Sequence, residues 1–254
     1  MRAWIRAGLL ASLAAACFGC GGTLHERQGA GVADFDAAKA AYDRGDYLDA
    51  IPDFKAYIEQ FPGTDRTDDA LFDLGECYLK QKDYALASGQ FDRLLRDFPT
   101  SPLQADALFE LARCDDLQSR GAPYDQSETR RALDRYNQFL DQYPDHARSD
   151  DARTRVRALR DRLAEKRFGT ARLYWKLHQD VAAAHTLRGL LSEQSDSKWA
   201  SEGMLLLADV LARQGNQVEA VETLKKLLAS GPESDLRKRV DERLRALQGS
   251  GTPR

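Results

Sequence analysis

No stretch of this chain is apolar for long enough to cross a membrane as a helix: the most apolar run, Ala7 to Ala16, is well short of the ~20 residues required. An excess of one charge is missing too. Thirty-seven Lys and Arg stand against forty Asp and Glu, net −3, so the global basic field of a nucleic-acid binder is absent. Ten Phe, nine Tyr and three Trp are few for 254 residues, and β-branched residues are sparse beside Ala, Leu, Asp and Arg, which favours helix throughout. Four cysteines do not make a disulfide framework. Cys77 and Cys114 fall 37 residues apart in one repeat slot. Equivalent helices of a stack lie roughly 10 Å apart, beyond the reach of a disulfide, so both read as small core residues. Catalytic signatures are lacking: there is no G-x-S-x-G, no P-loop and no glycine-rich dinucleotide turn. His25, His146, His178 and His185 lack metal-ligand spacing, so no metal, cofactor, small-molecule substrate or enzymatic activity is expected.

What is present begins at the N-terminus. Arg2 and Arg6 precede the apolar run, which ends in Ala14-Ala15-Ala16-Cys17 and then Cys20-Gly21-Gly22. A positive start and a short apolar segment read as a targeting signal. A cysteine after small residues resembles a bacterial lipobox, so residues 1–19 read as a lipoprotein signal peptide with its lipobox. Cys17, preceded by Leu13 and three alanines, is the favoured lipid anchor, and Cys20, which opens a glycine-rich start, is the alternative. An ordinary secretory signal with incidental cysteines is the other reading. Acyl chains contribute ~0.8 kcal/mol per buried methylene, enough in combination for stable anchoring. Residues 20–32 then form a polar, glycine-bearing flexible tether.

Beyond residue 33 one pattern recurs five times: a small residue, a bulky apolar one four positions on, and usually a proline eight further. The sets are Ala50/Phe54/Pro62, Ala87/Phe91/Pro99, Ala132/Tyr136/Pro144, Ala183/Leu187/Ser195 and Ala220/Leu224/Pro232. The second is preceded by Leu74-Gly75-x-x-Tyr78, completing the two halves of the tetratricopeptide (TPR) signature, one half on each helix of a hairpin. The expected fold is all-α, a right-handed superhelix of about five TPR-like hairpins with a C-terminal capping helix. Repeats one to three form an N-terminal module, 33–146. Ala132 to Ala171 then spans 39 positions where the same slots elsewhere span 25. The extra residues fall in Asp150 to Lys166, without Pro or Gly, and predict a helix from Ser149 to Leu177 lengthened by about four turns. That helix opens a C-terminal module, 147–247, whose last helix, 234–247, caps the stack, leaving a disordered tail at 248–254.

Aligning the repeats puts Phe35, Phe72, Phe109 and Phe168 in one slot of the first helix, with Leu205 in the fifth repeat. In the TPR architecture that slot points to the concave face, where stacked aromatics could clamp an extended peptide; alternatively the rings only pack between neighbouring first helices. Tyr42, Glu76, Lys80, Arg113 and Asp116 fall on the same face. Charge is also divided along the chain: Asp34 to Glu76 carries twelve acids against four bases, Arg148 to Lys176 ten bases against four acids. Such a run is ordinarily a solvated helix face. Arg153, Arg157, Arg160 and Arg167, with Arg172 and Tyr174 beyond them, could instead dock an acidic partner.

Lipobox, five hairpins and a long helix after the third repeat together resemble the BamD (ComL) family of outer-membrane assembly lipoproteins over residues 17 to about 247. The most telling stretches are Leu159-Arg-Asp-Arg-Leu-Ala-Glu165, Thr170-Ala-Arg-Leu-Tyr-Trp-Lys176 and Val181-Ala-Ala183. Ser195, in place of a proline, and Asp180, in place of an aromatic, depart from the family pattern. The resemblance implies a lipid-anchored protein on the periplasmic face of the outer membrane. Its implied partners are the POTRA domains of a BamA-like insertase, bound through the C-terminal repeats, other assembly lipoproteins, and unfolded outer-membrane proteins received by the N-terminal repeats. A TPR lipoprotein serving another envelope machine, such as a secretin pilotin or a Tol-associated coordinator, is the competing reading.

Overall fold

The computed structural model describes residues 34–249, which hold eleven α-helices and no strand. The expected signal peptide, Cys17, Cys20 and the tether lie outside the described residues. Five hairpins follow in order: α1 (Phe35–Asp43) with α2 (Tyr47–Gln60), α3 (Thr67–Lys80) with α4 (Tyr84–Asp97), α5 (Gln104–Gln118) with α6 (Ser127–Gln142), α7 (Ser149–Lys176) with α8 (Asp180–Glu193), and α9 (Ala200–Arg213) with α10 (Gln217–Ala229). A single helix, α11 (Ser234–Gly249), closes the stack. It runs to Gly249 rather than 247, and the rest of the expected tail, 250–254, lies outside the described residues.

Each hairpin closes where the sequence is smallest. Ala50, Ala87, Ala132, Ala183 and Ala220 are fully buried, and so are the bulky partners Phe54, Phe91, Tyr136, Leu187 and Leu224. In the second hairpin α3 contributes Gly75, and a Cβ there would stand 2.7 Å from the ring of Phe91. The turn between the two helices of a hairpin is also repeated. Gly45, Lys82, His178 and Gly215 all have positive φ. The next residue in each case donates its N–H to a carbonyl five residues back, as in Asp46 to Ala41, Asp83 to Tyr78, Gln179 to Tyr174 and Asn216 to Leu211, all at 2.9 Å. This is the Schellman ending, which satisfies carbonyls that the helix leaves unpaired.

The second helix of a hairpin ends just as regularly. Phe61, Phe98 and Tyr143, each followed by proline, leave the helix with φ between −126° and −133°. Gln194 does the same at −131° before Ser195, so the missing proline leaves the exit unchanged. The first residue of the next hairpin then caps that exit: Thr67 Oγ1 donates to the Phe61 carbonyl (2.6 Å), Gln104 Nε2 to Phe98 (2.7 Å) and Ser149 Oγ to Tyr143 (2.9 Å).

The third hairpin has a long loop between α5 and α6, held internally by buried Gln126, whose Nε2 donates to the Gly121 carbonyl at 2.9 Å. The 28-residue α7 ends at Lys176, with Leu177 as its C-cap. Leu159 packs in a cluster with Phe109, Tyr136 and Phe139; Ala171 packs with Leu187, Leu211 and Leu224. One helix therefore belongs to two cores. Val240 is the one fully buried residue of α11, which is also tied to α9 by Arg239–Glu202 (2.6 Å) and Arg243–Asp209 (2.7 Å).

Candidate functional site

The aromatic slot of the first helices has a lid. For three of the four ladder rings, the residue just before the next first helix lies over the ring. The Arg66 guanidinium stands 3.9 Å from the Phe35 ring centre and that of Arg148 3.6 Å from Phe109, while Trp199 stacks on Phe168 at 5.2 Å and 27°. From ring to lid the spacing is 31 residues for Phe35 and Phe168, and 39 for Phe109, whose repeat carries the long loop. These contacts combine cation–π attraction with ring stacking.

Two of the four ladder rings are enclosed. Phe109 is fully buried against Tyr136 and Phe139, and Phe35 is 6% exposed against Phe54 and Tyr57. Each packs on the second helix of its own hairpin and is covered by the arginine that precedes the next hairpin. Phe72 and Phe168 are half-buried and keep an accessible edge.

Around the rings the first helices carry a charge network. Lys39 of α1 reaches Asp73 of α3 at 3.1 Å and lies 4.4 Å from the Tyr42 ring. Glu110 of α5, almost fully buried, is held by Arg113 (2.9 Å) and by Arg148 (2.6 Å). Glu76 lies between these groups, and its carboxyl is raised above the ordinary range by burial first and by Glu110 second. Burial, followed by Glu76 and Asp73, also pushes up the Tyr42 hydroxyl. Lys80 is exposed at the end of α3. Tyr42, Glu76 and Arg113 thus belong to one electrostatic patch on the N-terminal module, with Lys80 at its edge. Asp116 turns instead to α7, pairing with Arg155 at 3.1 Å.

The arginine stripe of α7 divides in two. Arg160 pairs with Asp196 (3.0 Å) and donates to the Glu193 carbonyl (3.2 Å). Arg167 reaches Glu193 (2.8 Å), the Gln194 side chain (3.0 Å) and the Gly189 carbonyl (2.7 Å). Both clamp α7 to the end of α8, so these two cations are taken up by packing inside the fourth hairpin. Arg153 is held by Asp150 (2.8 Å), while among the described residues Arg157 has only the Thr154 hydroxyl at 3.4 Å. Arg172 is exposed and Tyr174 half-buried. Sequence reasoning missed Lys39, Asp73, Glu110 and Arg148; the 31-residue interval from ring to lid was the available signal for Arg66 and Trp199.

Cys77 and Cys114 are free and fully buried, and burial pushes each thiol up to about 12. Among the described residues no group of three His, Cys, Asp or Glu could hold a metal ion.

Tandem hairpins with lidded aromatic slots define a helical-repeat protein of the tetratricopeptide class. Solved structures of such proteins cover most of the chain. One from Parabacteroides merdae is 18% identical over 86% of this chain and 92% of its own, with a TM-score of 0.38. YrrB, described as a TPR protein with an unusual peptide-binding site, is 14% identical over 82% and 89%, with a TM-score of 0.39. The chain belongs to the YfiO family of outer membrane lipoproteins, whose profile matches residues 32–226. The outer membrane protein assembly factor BamD of Haemophilus influenzae is 26% identical over 232 residues, covering 87% of this chain and 88% of that protein.

Proposed function

We propose that the protein is a non-catalytic scaffold of the outer-membrane barrel-assembly machinery, anchored by lipid on the periplasmic face. The observation that carries this reading is the family match, which runs without a break from the first hairpin into α10. The assembly role named for the Haemophilus relative agrees with it. In this reading the C-terminal module binds the POTRA domains of a BamA-like insertase, beside other assembly lipoproteins. The N-terminal patch around Phe72, Tyr42, Glu76, Lys80 and Arg113 receives extended segments of unfolded outer-membrane proteins. The half-buried Phe72 edge offers apolar area, and the mixed charges suit a peptide backbone and terminus.

Two experiments test it. A gentle-detergent pull-down of C-terminally tagged protein from its native envelope is expected to recover a POTRA-bearing insertase; recovery of a secretin or cell-wall machinery instead discards the role. For the client patch, Lys80→Glu and Phe72→Ala are expected to weaken capture of an outer-membrane protein's C-terminal peptide by about tenfold. Lys80 is exposed, so its variant keeps the fold and makes unchanged affinity decisive against the patch.

A further inference from the structure

A second binding surface lies away from that patch, on α7. A mostly apolar slot of about 360 Å³ is lined by Phe168, which stacks on Trp199, by the loop residues Ala122 and Pro123 and by Gly169 and Leu173, with Glu165, Lys166, Thr170 and Arg172 as its polar members. Gly169 sits inside a long helix, where glycine is disfavoured relative to alanine. Internal packing does not require it: nothing lies within 4 Å of where a Cβ would be, whereas Gly75 and Gly203 face Phe91 at 2.7 Å and Leu190 at 3.0 Å. A side chain at 169 would stand in the slot.

From the slot an apolar stripe continues at four-residue spacing through Leu173 and Leu177, which are 54% and 57% exposed. This stripe is flanked by Arg172 and Lys176, both exposed. They differ from the cations earlier in the helix other than Arg157, which has only the Thr154 hydroxyl at 3.4 Å among the described residues. Arg153, Arg155, Arg160 and Arg167 hold acids of this chain. Arg162 holds the Ser119 hydroxyl, and Lys166 Nζ donates to the Pro123 carbonyl at 2.7 Å. Arg172 and Lys176 have no ion pair among the described residues. An apolar slot and stripe beside two unpaired cations complement a segment that is apolar and acidic.

We infer that the slot takes a large apolar side chain, aromatic because stacked rings line it, from an acidic peptide segment of a protein partner, with Arg172 and Lys176 pairing the segment's carboxylates. The backbone of that segment passes over Gly169, where the missing Cβ permits close approach. The inference rests on the proposed function in that the chain binds protein segments; the slot lies on α7, in the C-terminal module, and shares no residue with the N-terminal patch.

The test uses the full chain in detergent and a short fluorescein-labelled peptide in which a Trp and a Phe are flanked by glutamates, followed by fluorescence anisotropy. Gly169→Leu fills the slot without removing a backbone hydrogen bond, and is expected to lower affinity by about tenfold or more with unchanged helicity. The double variant Arg172→Glu, Lys176→Glu is expected to lose binding of this peptide and to regain it when the peptide's glutamates are replaced by lysines. Unchanged affinity in both variants overturns the inference. So does binding of phosphatidylglycerol vesicles without binding of the peptide, which would make the stripe a lipid contact. Loss of this peptide through Lys80→Glu alone, with Gly169→Leu silent, would place it on the N-terminal patch and leave that reading standing without the slot.

Discussion

Gly75 carries the tightest local constraint in the stack. Alanine is normally the better helix residue, yet a Cβ at this position would meet the Phe91 ring at 2.7 Å, and Phe91 is itself fully buried. The ring cannot move without opening the second hairpin, so overpacking outweighs propensity. Gly75→Ala is expected to destabilise the protein by about 1–3 kcal/mol in urea unfolding. The same change at exposed Gly89 in α4, where a Cβ meets nothing, should stabilise by about 0.5–1 kcal/mol. If Gly75→Ala also stabilised, close approach of the helices would not be what fixes the glycine. This residue was legible in the sequence because leucine-glycine-x-x-tyrosine is a local signature whose physical cause lies within one hairpin. Phe109 was less legible. Its slot suggested an open face, but the cover over it, Arg148, comes from the far side of a loop whose length differs from that of the other repeats.

Between elements, the helices and their turns could be read from small and bulky spacing, and the length of α7 from the extra residues before the fourth repeat. The charges could not, since their roles depend on which helix lies opposite. Arg160 and Arg167 look like members of a stripe until α8 is packed beside them and supplies Glu193 and Asp196 as partners. The same holds where α3, α5 and α7 meet. Glu76 is partly buried close to Glu110, while the nearby Arg113 and Arg148 are bonded to Glu110. Burial and this like charge raise the Glu76 carboxyl above its ordinary value of 4.5. A carboxyl that is easier to protonate in the folded state contributes stability fully present below the unfolded value and lost as pH rises through the folded one. Glu76→Gln removes that dependence. The variant is therefore expected to melt above the wild type at pH 7 and to lose this advantage near pH 4, as checked by thermal unfolding at both. A lower midpoint for the variant at pH 7 would mean that the arginines outweigh burial.

Across the whole molecule, the pairing of neighbours only with neighbours makes stability a sum of local terms, and α7 is the element that joins them. At roughly 1.5 Å per residue it is about 42 Å long, enough for Leu159 to serve the core around Phe109 while Ala171 serves the core around Leu211. Damage to one core should therefore be felt unevenly. Leu211 is fully buried, and Leu211→Ala should cost about 2–5 kcal/mol. Native-state hydrogen exchange of that variant is expected to speed up in α8 to α11 and in the last turns of α7, while α1 to α5 keep their protection. Equal acceleration throughout would mean that α7 makes the stack a single cooperative unit. The distinction matters for function. If the halves open separately, the C-terminal module can adjust its packing while the charge network around Glu76 and Glu110 keeps its geometry.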